Sequence, residues 1–450
     1  MDTERFDRMT GTSRPASEMR ISTDVPTYPN RQSGNHGPVG VRTLSEFGRA
    51  IMNPSHFDAF SRALGAVEFT PSRRSLLAGL AGGVAALSGA SLLEGEARKK
   101  KKKKKGGSSC TKKCKKKKGK KKKSCLAKCN GGNGPTPYNG PVFSVSGRNV
   151  LDTDGDAVTL RGVNKMSVFD DDDPNGTGYF PQIAASGANT VRIVWAIKDD
   201  AGPTTVSQLD NLITNCRNNK MLPMIELHDA TGDLSKVPQM VDYWVRDDVR
   251  EVIFKHSAHL LLNIANEAGD GDVTTQQWVD TYTTAVRRLR SANIRVPIVI
   301  DAPDFGKNLT VITQGASQLL AVDSNLIFSF HPYWPQFGGA DANFIETHFE
   351  AARQAGMALV LGELSEWGAF NGAGSICQGN GKVDYTSMAQ KANAKGFGMY
   401  AWEWGPGNSF GGADCDKMDM TTNGNLNTLK AGWATHFVTN FLQNAPKIFG

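Results

Sequence analysis

The chain has 450 residues, 39% of them hydrophobic and 21% charged, which is enough apolar material for a large core and excludes a chain that is disordered throughout. Its formal net charge of +8 does not describe a basic fold. Residues 98–129 hold eighteen lysines and Arg98 with no acid, taking 19 of the 52 basic side chains and leaving the remainder acidic against 44 Asp and Glu, so no nucleic-acid partner is expected.

Residues 1–71 read as a polar, disordered extension, rich over residues 1–51 in Pro, Ser and Arg and lacking helical or strand periodicity. Met52 opens a compact leader, MNPSHFDAFSRALGAVE, and is the expected initiator. Residues 72–97 form a signal segment: SRRSLLAGLAGGVAAL sets an arginine pair before an apolar stretch too short for a mature spanning helix, and resembles a twin-arginine export signal. Ser88-Gly89-Ala90 and Gly95-Glu96-Ala97 are both cleavage candidates, and a secreted product is expected.

Residues 98–140 comprise the lysine tract and a Gly/Pro linker. They read as a self-repelling spacer or as an electrostatic contact with an anionic cell envelope. Cys110, Cys114, Cys125 and Cys129 fall here as C-x3-C-x10-C-x3-C; zinc and disulfides are both open, with dense positive charge and export favouring disulfides.

From residue 141 to residue 450 apolar strand-like runs alternate with amphipathic helical patterns. Eight strands are expected, at 159–165, 189–196, 221–228, 260–267, 297–302, 326–333, 358–364 and 398–404, with helices at 241–256, 274–290 and 344–356 among the connections. Buried strands alternating with helices predict a parallel sheet, and eight repeats close it into a (β/α)8 TIM barrel. Ahead of them FSVSGRNVLDTDGDAVTLRG predicts a hairpin beneath the barrel, its DTDGD forming the turn.

Polar residues collect where these runs end, the rim at which such barrels place their chemistry. Arg192, His228 with Asp229, Asn266 with Glu267, His331 with Tyr333, Glu363 and Trp402 all stand there. The two glutamates are the informative members. One carboxylic acid protonating a leaving oxygen while a second carboxylate attacks or steadies an oxocarbenium centre is the minimum apparatus for cleaving a glycosidic bond.

The segments GANTVRIVW, MIELHDATG, VDYWVRD, NIANEAG, IFSFHPY, ALVLGEL, YAWEWGPG and MDMTTNGNLNTLKAGW, in this order over about 300 residues, resemble glycoside hydrolase family 5 and within it the bacterial endo-β-1,4-mannanases of subfamily 8. The resemblance implies Glu267 as acid/base and Glu363 as nucleophile of a retaining reaction on a β-linked polysaccharide. It also implies Arg192 and Tyr333 donating to Glu363 and lowering its pKa, Asn266 binding the sugar 2-hydroxyl, His228 and His331 hydrogen-bonding around the site, and Trp402 stacking on a pyranose ring. The chain departs from the family pattern at Ala268 and Leu364, and Glu403 adds a carboxylate beside Trp402.

Cys377 and Cys415, both in Gly-rich sequence, are expected to form a disulfide, with Cys216 a buried thiol. Trp195, Trp334, Phe337 and Trp367 are candidates for the cleft wall; Trp244 and Trp278 read as core. Asp170 to Asp173 are expected to form a solvated loop, Glu226 a second layer inside the barrel, and no metal or cofactor is expected. A monomer is expected. A β-1,4-glucanase and a non-catalytic carbohydrate- or envelope-binding barrel stand as alternatives to a mannanase.

Overall fold

The computed structural model describes residue 118 and residues 134–199, 202–369, 376–408 and 414–449. The arginine pair and the four cysteines of the lysine tract lie outside the described residues. Eight parallel strands close into a barrel: β1 (Arg161–Lys165), β2 (Thr190–Trp195), β3 (Leu222–Leu227), β4 (Leu261–Asn263), β5 (Ile298–Asp301), β6 (Leu326–Phe330), β7 (Leu359–Leu364) and β8 (Gly398–Ala401), each paired with its neighbours in sequence and β8 with β1. Every residue of these strands is buried. Helices cover the outside, so both faces of the sheet are out of water and most strands read as near-continuous apolar runs.

The helices present regular apolar stripes to the sheet. In Thr275–Ser291 the buried residues are Trp278, Val279, Tyr282, Ala285, Val286 and Leu289, and Thr274 with Gln277 forms a capping box that satisfies the first backbone N–H groups. Two helical tryptophans also fix the rim. Trp244 Nε1 donates to the carbonyl of Ile264 at 2.9 Å and Trp278 Nε1 to that of Asp301 at 3.0 Å. Each ring withdraws roughly 150–250 Å² from water, worth several kcal/mol at about 25 cal/mol per Å², and its polar edge sets a strand end.

The expected helix at 241–256 is two helices, Val237–Trp244 and Asp247–His256. Arg246 is extended at φ −59°, ψ 143°, and Asp247 and Asp248 give the second helix an acidic first turn of its own. The fourth strand also stops short of its expected end, pairing only to Asn263. The predicted hairpin is a three-stranded meander, Ser144–Ser146, Asn149–Leu151 and Ala157–Val158. Asp152 Oδ1 accepts from the N–H groups of Asp154 and Asp156, which makes DTDGD a turn. Phe143 and Val150 pack with Leu222, Leu261, Val299 and Ile327, near the beginnings of their strands, and so close the barrel at the end opposite the polar rim.

Candidate active site

The polar residues named from the sequence converge at the carboxyl ends of the strands. One oxygen each of Glu267 and Glu363 and a ring nitrogen of His331 lie within 4.8 Å of one another, and all three side chains are buried. His331 Nδ1 is 2.6 Å from Glu267 Oε1 and 3.4 Å from Glu363 Oε1. Both oxygens of Glu363 also receive donors: Arg192 Nη1 reaches Oε1 at 3.1 Å and the Tyr333 hydroxyl reaches Oε2 at 2.9 Å. Those three ligand-type atoms have the spacing of metal ligands, and the 2.6 Å contact between His331 Nδ1 and Glu267 Oε1 also makes the set a device for holding and moving a proton.

Arg192 organises the floor. Nη1 donates to Asn164 Oδ1 at 3.0 Å, and Nη2 donates to Asn266 Oδ1 at 2.6 Å, Asn263 Oδ1 at 3.0 Å and Asp301 Oδ2 at 3.3 Å. With its carbonyl oxygen held by Arg192, Asn266 turns its amide group toward Thr231 Oγ1, 2.9 Å away, and His228 Nε2, 3.5 Å away. Glu226 lies behind, 3.0 Å from His228 Nδ1 and 3.8 Å from Arg192. The rings of His228 and Trp402 are stacked within 21° of parallel at 6.0 Å, and Trp402 Nε1 donates to Asn408 Oδ1 at 3.0 Å.

Glu267 itself has left-handed backbone, φ +46°, a conformation a non-glycine residue holds only when its surroundings impose it. Here its N–H donates to Asp301 Oδ2 at 3.0 Å and its carbonyl accepts from Gly232 N–H at 2.9 Å. Four residues after the last paired residue of β4, the turn swings the Glu267 side chain toward Glu363.

Burial pushes the Glu267 carboxyl up to about 8, with Asp301 adding to the rise and His228, Arg192 and Lys307 opposing it. The expectation for Glu363 was wrong in sign. Arg192 and Tyr333 do donate to it, but burial and the neighbouring Glu267 outweigh His331 and Arg192, and its pKa is raised. A proton on Glu267 removes the repulsion between the two carboxylates, leaving the Arg192 cation against Glu363. His331 is pulled down by burial and stays neutral. His228 loses to burial but gains more from Glu226, and is raised.

Sequence reasoning missed Asp301, Asn164, Asn263 and Thr231. Asp301 was within reach, since it ends an apolar run just as Glu363 nearly does. Of the aromatic cleft candidates, Trp195 is fully buried with Nε1 donating to Tyr243, and Trp334 packs among Phe330, Phe344 and Phe349 while donating to the carbonyl of Lys307. Trp367 carries the ammonium groups of Lys382 and Lys417 at 5.1 and 4.7 Å from its ring centre. Phe337 is 55% exposed on the loop after β6.

Glu366 pairs with Lys382 at 3.0 Å. In the loop after β1, Asp170 pairs with Lys165 at 2.9 Å and Asp173 accepts from the N–H groups of Thr177, Gly178 and Tyr179. Those two acids are committed to structure. Cys377 and Cys415 are disulfide-bonded across the loops following β7 and β8, and Cys216 is a buried free thiol whose pKa burial pushes up.

A closed (β/α)8 barrel with paired buried carboxylates at its carboxyl rim, one made to keep its proton and the other braced by an arginine, defines a glycoside hydrolase. Residues 151–408 match Cellulase (glycosyl hydrolase family 5), and the chain belongs to that family. It is 28% identical over 322 residues to a mannan endo-1,4-beta-mannosidase of Cellvibrio japonicus, covering 68% of this chain and 69% of that protein. Over 286 residues it is 28% identical to a mannan endo-1,4-beta-mannosidase of Salipaludibacillus agaradhaerens, covering 62% of this chain and 85% of the other. Its fold is similar to that of a Thermomonospora fusca beta-mannanase solved as a mannohexaose complex, with TM-score 0.57 and 26% identity over 68% of this chain and 98% of that one.

Proposed function

We propose that the protein is an exported endo-β-1,4-mannanase acting by double displacement with retention at the anomeric carbon. The observation that carries the mechanism is the approach of Glu267 and Glu363 oxygens to within 4.8 Å. Retaining glycosidases hold their carboxyl groups about 5–5.5 Å apart, whereas inverting ones need about 6.5–9.5 Å to admit a water.

In the first step a Glu363 oxygen bonds to the anomeric carbon as the glycosidic C–O bond breaks and Glu267 gives its proton to the departing glycosidic oxygen, which leaves as a hydroxyl. Arg192 and Tyr333 hold the attacking carboxylate in line. In the second step water enters where the leaving group stood, Glu267, now a carboxylate, takes its proton, and the glycosyl ester opens with Glu363 as leaving group. On this reading Asn266 binds the 2-hydroxyl through its amide, and the Trp402 face receives the ring of the reacting sugar.

Mannan is the preferred substrate class because the relatives above carry that activity in their names. The description of the matching family as Cellulase favours a second reading, β-1,4-glucan. Export rests on the twin-arginine-like segment, and envelope adhesion on the lysine tract. Reducing-sugar release by the full chain from galactomannan, glucomannan and carboxymethylcellulose separates the substrates: mannan-type polymers are expected to turn over faster, and faster turnover of carboxymethylcellulose reverses the choice. Adhesion to envelope preparations is expected to be lost at high salt; persistence at 1 M salt, where the screening length is about 3 Å, would exclude simple charge attraction.

A further inference from the structure

We infer that Asp301 is a positioning residue for the general acid, pinning the left-handed turn at Glu267 to the floor that Arg192 organises, so that the acid is held on its target while Glu363 keeps its own donors. The inference rests on the reading of Glu267 as acid and Glu363 as nucleophile. Asp301 ends β5 and is fully buried. Its carboxylate is filled from three directions. Oδ1 accepts from Asn263 Nδ2 at 3.0 Å, and Oδ2 accepts from the Glu267 N–H at 3.0 Å and from Arg192 Nη2 at 3.3 Å, with His331 Nε2 3.6 Å away.

The arrangement answers a specific difficulty. A glutamate with positive φ is strained, and without an acceptor for its N–H it would relax toward extended backbone, turning its side chain away from Glu363. Backbone hydrogen bonds alone hold one side of the turn, through Gly232 N–H to the Glu267 carbonyl. Asp301 holds the other side. The same oxygen touches the guanidinium whose second nitrogen braces Glu363, so a displacement of Glu267 is opposed by the group that orients its partner.

Charge supports the geometry. Glu267 is faced by His228 from the end of β3, Arg192 from β2, Asp301 from β5, Lys307 from the following loop, His331 from beyond β6 and Glu363 from β7. Asp301 is the carboxylate that disfavours ionisation of Glu267, as Glu267 in turn disfavours that of Glu363. Removing its charge lets the acid proton leave at lower pH.

The test is Asp301→Asn in the full chain, compared with wild type on a mannan polymer and on a dinitrophenyl β-manno-oligosaccharide, whose leaving group departs without a proton. An amide has a single acceptor oxygen, so one of the two groups of donors now meets an NH2. The expected result is a fall in kcat/KM on the polymer of about 10²-fold, the lower end of what a positioned general acid supplies. On the activated substrate the expected change is less than about 5-fold, and the alkaline limb of the polymer pH profile moves to lower pH.

Equal losses on both substrates, or a polymer rate and alkaline limb matching wild type, overturn the inference. Should the asparagine variant fail to show a cooperative melt, Asp301→Glu, which keeps the charge and shifts it by one methylene, carries the same comparison: its polymer rate is expected to fall more than its activated-substrate rate. A wild-type chain inert on both substrates and on carboxymethylcellulose sinks the functional reading and this inference together. An active wild type with equal losses sinks this inference alone.

Discussion

Oε1 of Glu267 and Nδ1 of His331 stand 2.6 Å apart with both side chains out of water, so a proton placed between them belongs to the site and not to the solvent. Burial lifts the acid to about 8 and depresses the imidazole, which makes both groups neutral at pH 7. The working form is the protonated acid. Activity on a polymer is therefore expected to hold through neutrality and to fall as pH rises through about 8; an alkaline limb below about pH 6 would show that burial does not control this carboxyl.

Removing each carboxylate should leave a different chemical trace. Glu267→Ala is expected to lose about 10²–10⁴ in kcat on a polymer. With an activated aryl substrate and added azide, it yields a glycosyl azide of retained configuration. Glu363→Ala under the same conditions yields the inverted azide, since the small anion attacks from the emptied side. NMR of the anomeric proton reads the outcome, and interchanged products would exchange the two assignments.

The indole of Trp402 is oriented by Asn408, whose amide and backbone N–H groups both donate to Asp419 Oδ1 at 2.7 and 3.1 Å. Asn408→Ala is expected to raise KM several-fold while changing kcat less. In a Trp402→Phe background, which already lacks the indole N–H, the same change is expected to cost little. Additive losses across this double-mutant cycle would mean that Asn408 acts elsewhere.

The Cys377–Cys415 bond closes a loop with a sequence separation of 38, for which chain entropy sets a stabilisation of about 4 kcal/mol. Cys377→Ser with Cys415→Ser is expected to lower Tm by several degrees, and reductant to bring wild type down to the same value. No change in the wild-type melt on reduction would show that the bond constrains nothing that matters to global unfolding.

Most of the barrel was legible because buried parallel strands leave a plain record: eight apolar runs separated by helical patterns. Their limits were not. LLLNIANE is apolar almost to its end, and nothing in the letters says that pairing stops at Asn263 and that Glu267 then turns left-handed. The helix break at Val245–Arg246 was hidden in the same way, because the apolar periodicity runs through it.

At the site, the identity of the polar groups was readable from their place at strand ends, whereas their electrostatics were not. Arg192 and Tyr333 beside Glu363 suggested a depressed pKa, but donors can be counted along a chain and depth cannot. Depth won. The aromatic residues failed for a related reason: Trp195, Trp334 and Trp367 are the same chemical object as Trp402, and only the path of each loop decides which ring is sealed in, which is covered by lysines and which stacks against His228.

Phe143, ahead of the first barrel strand, and Phe449, near the far end of the chain, rest against the ring of His259 at 5.9 and 4.8 Å, beneath the barrel. The beginning and end of the catalytic fold are thus neighbours. Joining them through a short linker and opening the chain at an outer helix–strand connection should give a circular permutant with the same carboxylate geometry, and a partner protein grafted at that seam would hang from the underside and leave the polysaccharide's approach clear.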